Sequence, residues 1–224
     1  MIIRDLITLN HDRLLENLLI SAGVDLSTGF DQSDGFNRKW NSELLDQNYD
    51  VRLLKLHGSI DWHRPKPVNT KFFPDVYQYV YKDRNDFLAF LKRRKEPFFL
   101  TGALNKTSEY TQGIFWELLI RFEEALRRSE LLVVCGYSFG DQGVNHIIYN
   151  WIDKPSGTNV LVLTDEKEHL ISRIEDHDIP KVDRSGVPRV DVRRITNIRK
   201  NLRIEEVDLR TTSWKNVKTL IKEW

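Results

Sequence analysis

The sequence predicts an α/β fold, a Rossmann-like parallel sheet with helices on both faces and a small inserted subdomain. Three observations carry that expectation. Short apolar, β-prone runs recur at 2–9, 51–56, 131–136 and 159–163, and Leu131-Leu132-Val133-Val134-Cys135-Gly136 has the near-continuous apolar character of a strand covered on both faces. Helical periodicity alternates with these runs, as the crossovers of a parallel sheet require. Each run stops at a polar or glycine-bearing turn, and the turns at the carboxyl ends of parallel strands line the ligand crevice of such folds.

Taken in order, the run at 2–9 leads through a polar turn to Leu14, Leu15, Leu18 and Leu19, the spacing of one apolar helix face, closed by Gly23. Residues 25–50 are rich in Ser, Asp, Asn and Gly around Phe30, Phe36 and Trp40, and read as a long loop or insertion. After the strand at 51–56, prolines and aromatics mix over 62–81. A helix is expected at 86–94 and a short strand at 98–100, so that about 62–113 forms the inserted subdomain. A helix over 114–129 gathers Phe115, Leu118, Leu119, Phe122, Ala125 and Leu126 on one face. Beyond the strand at 131–136, a helix at 143–151, a strand at 159–163 and a helix from Lys167 to about His177 follow. Short strands are expected near 190–195 and 203–207, with a closing helix from about Ser213. Trp62, Trp116 and Trp151 are expected in core or subdomain contacts.

The 224 residues suit one sizeable α/β domain, 1–224, carrying that insertion. Thirty-four Lys and Arg against 33 Asp and Glu leave no global field to draw in nucleic acid, so a soluble metabolite is the default partner. The single cysteine, Cys135, excludes a disulfide framework and any site of several thiolates; its apolar setting reads as a buried structural thiol in a reducing cytoplasm. No stretch is apolar for long enough to span a membrane, and MIIRDLITLNHD is too short and too quickly charged for a signal peptide. His11, His63, His146, His169 and His177 show no metal-ligand spacing and read as surface or helix residues.

Four polar clusters end strands: Thr8-Leu9-Asn10-His11-Asp12, His57-Gly58-Ser59, Gly136-Tyr137-Ser138-Phe139-Gly140-Asp141, and Thr164-Asp165. In a single parallel sheet they would meet along one edge. Each also has a plain explanation. Asn10 and Asp12 are good helix N-caps, worth about 1 kcal/mol. His57 before Gly58 suits a strand end beside a tight turn. Asp141 suits the cap of the helix that follows it, and for Thr164-Asp165 capping outweighs ligand binding. The lysine and arginine cluster at 92–95 and the run 193–203 are first read as solvated faces.

The TLNHD turn followed by LLENLL, the KLHGSIDW stretch, and LLVVCGYSFGD leading into a helix with Asn145 resemble, in order and spacing, three motifs of the sirtuin-like family. The likeness is closest to the zinc-free bacterial branch of antiphage-defence effectors, and it covers residues 1 to about 165. It implies NAD as substrate, Asn10 and Asp12 by the nicotinamide and its ribose, and His57 as the catalytic histidine. It further implies Thr8, Gly136, Ser138 and Asp141 at ribose or phosphate oxygens, and Thr164 and Asp165 toward the adenosine half.

Two departures from the family shape the expectation. A Cys₄ zinc module cannot be built from one cysteine, which disfavours histone-type deacetylation and leaves hydrolysis or cyclisation of NAD without zinc. The family's glycine-rich GAGxS-type turn, which precedes TxNxD, lies before the first residue, so the domain is expected to be N-terminally incomplete, to draw that element from a partner, or to be silent. The implied function is therefore an NAD glycohydrolase in antiphage defence, activated by a sensor or partner protein or by self-assembly. The alternatives are a silent NAD or ADP-ribose binding module and a nucleic-acid-associated subunit.

Overall fold

A computed structural model describes residues 3–31, 37–64, 75–81, 83–92, 96–100, 113–153, 158–178, 202–207 and 219. The chain divides into two compact units, Met1–Phe122 and Glu123–Trp224. The expected strands near 190–195, the basic residues 93–95, Phe36 and, apart from residue 219, the expected closing helix lie outside the described residues.

In the first unit the elements run β1 (Asp5–Thr8), α1 (Leu14–Ser21), β2 (Leu26–Ser27), β3 (Asn37–Lys39), a 3-10 turn (Ser42–Asp46), β4 (Val51–Lys55), β5 (Trp62–His63), β6 (Tyr77–Tyr79), α2 (Arg84–Lys92) and the start of α3, a helix whose full range is Gly113–Arg127. β1 and β2 both pair in parallel with the central β4, in the order β1-β4-β2, with Thr8 opposite Lys55. Leu53, Leu54 and Leu56 are buried along β4 and just past it. Side chains of this kind each stabilise by roughly 1.5–3 kcal/mol when fully removed from water.

A second, antiparallel sheet, β3-β6-β5, brings together 37–39, 77–79 and 62–63. It carries an aromatic cluster: Phe30 lies 5.0 Å and Trp40 6.3 Å from Trp62, and Tyr79 stacks on Phe90 at 4.4 Å. The expected long loop at 25–50 is thus partly regular structure. It is anchored to α3, where Trp40 Nε1 donates to Glu117 Oε2 at 2.8 Å and Arg121 makes a two-pronged contact with Asp46 at 2.7 and 2.6 Å. Serine and aspartate composition signalled the turns there, while the aromatics that fix them are spread through the sequence.

The α3 helix buries the expected face, Phe115, Leu118, Leu119, Phe122, Ala125 and Leu126. Of the three tryptophans expected in core or subdomain contacts, Trp62 and Trp151 are buried, while Trp116, on the other side of α3, is half exposed and is not a core residue. The helix α1 departs further. Leu14 is 65% and Leu18 56% exposed, and the buried residue of this helix is Glu16. Leucine periodicity marked the helix correctly but not its inward face, because Glu16 is drawn in by a partner on β4. The expected strand at 98–100 is reduced to a single bridge between Phe99 and Gly58. His63, expected at the surface, is buried in β5 with its ring 5.9 Å from that of Tyr77.

The second unit holds β7 (Leu131–Cys135), α4 (Gln142–Ile152), β8 (Asn159–Thr164), α5 (Lys167–Asp178) and β9 (Leu202–Glu206). Its sheet is parallel throughout, in the order β7-β8-β9. Val160, Leu161, Val162 and Leu163 of the central β8 are buried. By contrast, β7 is only half-buried over Leu131 to Val133, and Cys135 at its end is exposed. Its apolar run had suggested a strand covered on both faces and a buried thiol; among the described strands β7 is an edge, which explains both differences. The protein is a mixed α/β chain of Rossmann-like parallel strands and helices. Among the described residues no helix is long and apolar enough to cross a membrane.

Gly58 is where backbone geometry constrains the sequence most tightly. Its φ is +79°, and a Cβ there would stand 2.5 Å from the Phe98 carbonyl oxygen and 2.9 Å from Phe99 Cα. Gly58→Ala is expected to lower unfolding stability by about 1–3 kcal/mol, from the left-handed backbone together with the clash. Urea unfolding checks this, and an unchanged midpoint would mean that the 98–99 stretch yields without cost.

Candidate functional site

Because β1 and β4 are parallel neighbours in register, the turns that leave them emerge at the same end of the first unit. The first turn carries Asn10, His11 and Asp12; the second carries His57, Gly58, Ser59, Ile60 and Asp61. They are bonded to each other directly. The Ile60 N–H donates to the His11 carbonyl at 2.9 Å, and the Ser59 hydroxyl donates to the same oxygen at 3.1 Å. Arg13 Nε lies 3.3 Å from Asp61 Oδ2, the carboxylate oxygen that also accepts from Gln78 Nε2 at 2.9 Å.

Beneath the first turn, Lys55 Nζ donates to Glu16 Oε1 at 2.8 Å and to the Asp12 carbonyl, with both Lys55 and Glu16 only 2% exposed. A charge pair so buried is costly to desolvate. Removing one partner of such a pair typically destabilises by about 3–5 kcal/mol. Lys55, Glu16, Arg13 and Asp61 were not singled out from the sequence. The signal was there in Lys55, one cation inside VRLLKL, and in Glu16, one carboxylate inside LLENLL.

Individual side chains differ in how committed they are. Asn10 is exposed, and among the described residues its side chain has no hydrogen bond; its backbone N–H donates to Thr8 Oγ1 at 3.1 Å. Asp12 is exposed too, but its Oδ1 accepts from the Leu14 N–H at 2.8 Å, satisfying one of the orphan donors at the start of α1. The capping role proposed for this turn thus falls to Asp12. His57 is buried at 6% exposure, its carbonyl accepts from the Leu100 N–H at 2.8 Å, and its ring centroid is 6.1 Å from that of His11. His11 in turn lies 4.5 Å from the Phe99 ring.

In the second unit, the turn 136–141 follows β7 and enters α4. Gly136 and Phe139 have positive φ, +65° and +53°. A non-glycine residue in that region is held there by its surroundings: the Phe139 ring is buried, and its carbonyl accepts from Asn145 Nδ2 at 2.8 Å. The Tyr137 hydroxyl donates to Asn145 Oδ1 at 2.7 Å, and Asp141 caps α4 by accepting from the Val144 N–H at 3.1 Å. Gly136 and Ser138 are exposed. Thr164 is buried at the end of β8, where its Oγ1 accepts from the Glu166 N–H at 3.2 Å, while Asp165 is exposed. These contacts match the turn and capping roles weighed for Asp141 and Thr164.

Parallel strands whose carboxyl ends carry polar turns define, in each unit, the Rossmann-like class of ligand-binding α/β modules. A family model described as the SIR2-like domain matches residues 4–181, well over half of the chain, and the protein belongs to that family. SIR2-like domains use NAD, and the chain is compatible with an NAD-dependent enzyme. No curated protein matches it. Among the described residues no group of three or more His, Cys, Asp or Glu is arranged to hold a metal ion.

Cys135 stands at the end of β7, paired in register with Leu163 of β8. Although the residue is exposed, partial withdrawal from water, and secondarily the Asp165 carboxylate, push its thiol pKa up. A raised pKa leaves less thiolate at neutral pH, so alkylation by iodoacetamide is expected to be slower than for a free peptide thiol, with its pH midpoint displaced upward. Asp165→Asn should move that midpoint back down. A midpoint at or below that of the peptide thiol contradicts the assignment.

Proposed function

We propose that the protein is an NAD glycohydrolase that cleaves the bond between nicotinamide and ribose, with Asn10, Asp12 and His57 at the reacting end. The observation that carries this reading is the bonding of the Asn10–Asp12 turn to the His57–Asp61 turn at the ends of β1 and β4, with the Asn10 side chain uncommitted among the described residues. Membership of an NAD-using family supplies the substrate class.

In the proposed reaction the C1′–N bond breaks, its electrons leave with nicotinamide, and an oxocarbenium-like ribose is captured by water to give ADP-ribose and a proton. Asn10 offers an amide that can orient the leaving group or the water. Asp12, with one oxygen engaged by the Leu14 N–H, has the other available to stabilise the developing positive charge. His57 takes the proton of the attacking water. The resemblance to sirtuin-like motifs, and not the placement of the two units, is what proposes Gly136 and Ser138 as contacts for ribose or phosphate oxygens of NAD, with Thr8, Asp141, Thr164 and Asp165 in supporting roles near strand ends. We place the activity in antiphage defence by NAD depletion, triggered by a sensor or partner protein or by self-assembly, in a zinc-free cytoplasmic protein. That placement rests on the sirtuin-like motifs.

A silent NAD or ADP-ribose binding module is the second reading. It is favoured by the structural duties of Asp12, Asp141 and Thr164, each of which satisfies a backbone N–H at a helix entry. Nicotinamide release from NAD separates the two. Turnover by the wild type, lowered roughly 10²–10⁴-fold in His57→Ala and comparably in Asn10→Ala, is the expected outcome. Binding of NAD without release would establish the silent module, and release untouched by either substitution would remove these residues from the site. Phage infection of cells carrying wild type or His57→Ala, with cellular NAD followed over time, tests the defence role; an NAD pool that falls equally in both would exclude it.

A further inference from the structure

We propose that Lys55 is a positioning residue, which holds the Asn10–Asp12 turn in a fixed relation to the strand that ends beside His57. The inference rests on the reading of that turn as the reacting end of the site, and it names how the turn is kept in place.

Lys55, which lies between Leu54 and Leu56 in the sequence, is buried as they are, at a position where an aliphatic side chain would pack without desolvating a charge. Buried ion pairs are poor devices for stability, since apolar replacements of similar volume often do as well or better. The pair with Glu16 therefore calls for a directional explanation, and the second contact of the ammonium provides it. Glu16 holds Nζ from the α1 side at 2.8 Å, and Nζ donates to the Asp12 carbonyl. That carbonyl belongs to the turn carrying Asn10 and Asp12, while Lys55 stands opposite Thr8 in the β1–β4 register and two residues before His57.

Other ties between the two turns include those from the His11 carbonyl to Ser59 and Ile60 and from Arg13 to Asp61. Without Lys55 the turn keeps these ties but loses the one at Asp12. Asn10 and Asp12 are then free to shift relative to His57, and displacements near 1 Å in a reacting constellation can cost about 10²-fold in rate.

The test is a comparison of wild type with the paired variant Lys55→Met, Glu16→Leu. It removes both buried charges at once, so that neither is stranded, and keeps the apolar volume. Two readouts are taken on the full chain: steady-state nicotinamide release from NAD, and amide hydrogen exchange over 9–14 against 51–56. The expected result is a kcat lower by roughly 10- to 100-fold with KM little changed, together with faster exchange confined to 9–14. Lys55→Arg, which keeps the charge and its donors, should restore part of the rate. If the first pair does not melt cooperatively, the neutral pair Lys55→Gln, Glu16→Gln, too short to reach the Asp12 carbonyl, replaces it. Wild-type exchange over 9–14 in a folded paired variant overturns the proposal, whatever the rate. If the wild type releases no nicotinamide, the glycohydrolase reading fails, and faster exchange in the variant still upholds the positioning role.

Discussion

The parallel pairing of β1 on β4 is the constraint on which the candidate site depends. With Thr8 opposite Lys55, the chain leaves both strands at one end, and within five residues of those ends lie Asn10, Asp12 and His57. A slip of one residue would turn every side chain of β1 to the other face of the sheet. It would also part the His11 carbonyl from the two donors that share it. The register is held by side chains at both ends of the pairing: Arg52 donates to Asp5 Oδ1 at 2.6 Å near the start, and Lys55 meets the Asp12 carbonyl at the finish.

This arrangement divides labour between turn geometry and chemistry. Asp12 and Asp141 both satisfy helix N–H groups, so each can be present for backbone reasons alone. Asn10 has no such duty among the described residues, and Gly136 and Ser138 are exposed on their turn. Within each unit, then, committed residues shape a turn and uncommitted ones are displayed by it. His57 stands between the two cases, buried like a structural residue but at the strand end where ligands of parallel sheets bind.

Much of the fold was legible because period and punctuation agreed. The α3 face with Phe115, Leu118 and Phe122, the strand at 159–163, and the turn at Gly23 all followed from apolar spacing and glycine placement. The failures have a common physical source, which is that burial depends on partners the local sequence does not display. Glu16 went inward because Lys55 waits on β4, leaving Leu14 and Leu18 outside. Cys135 is exposed because β7 is an edge among the described strands, a property of sheet order rather than of the run LLVVC. For the site, motif spacing picked out Asn10, Asp12 and His57. The ties between their turns pass mainly through backbone carbonyls, which carry no residue signature.

The outward leucines of α1 bear on how the protein can be handled. Leu14, Leu18 and Ile20 leave apolar area in water on the folded chain, and Trp116 and Ile120 do the same on α3. Environment-sensitive dyes report contact with such area whether or not a protein has unfolded. A dye-based melting curve would therefore begin from a bright native baseline and blunt the signal of ligand stabilisation. The buried tryptophans Trp62 and Trp151, one in each unit, give an intrinsic fluorescence reporter of unfolding that does not depend on that surface.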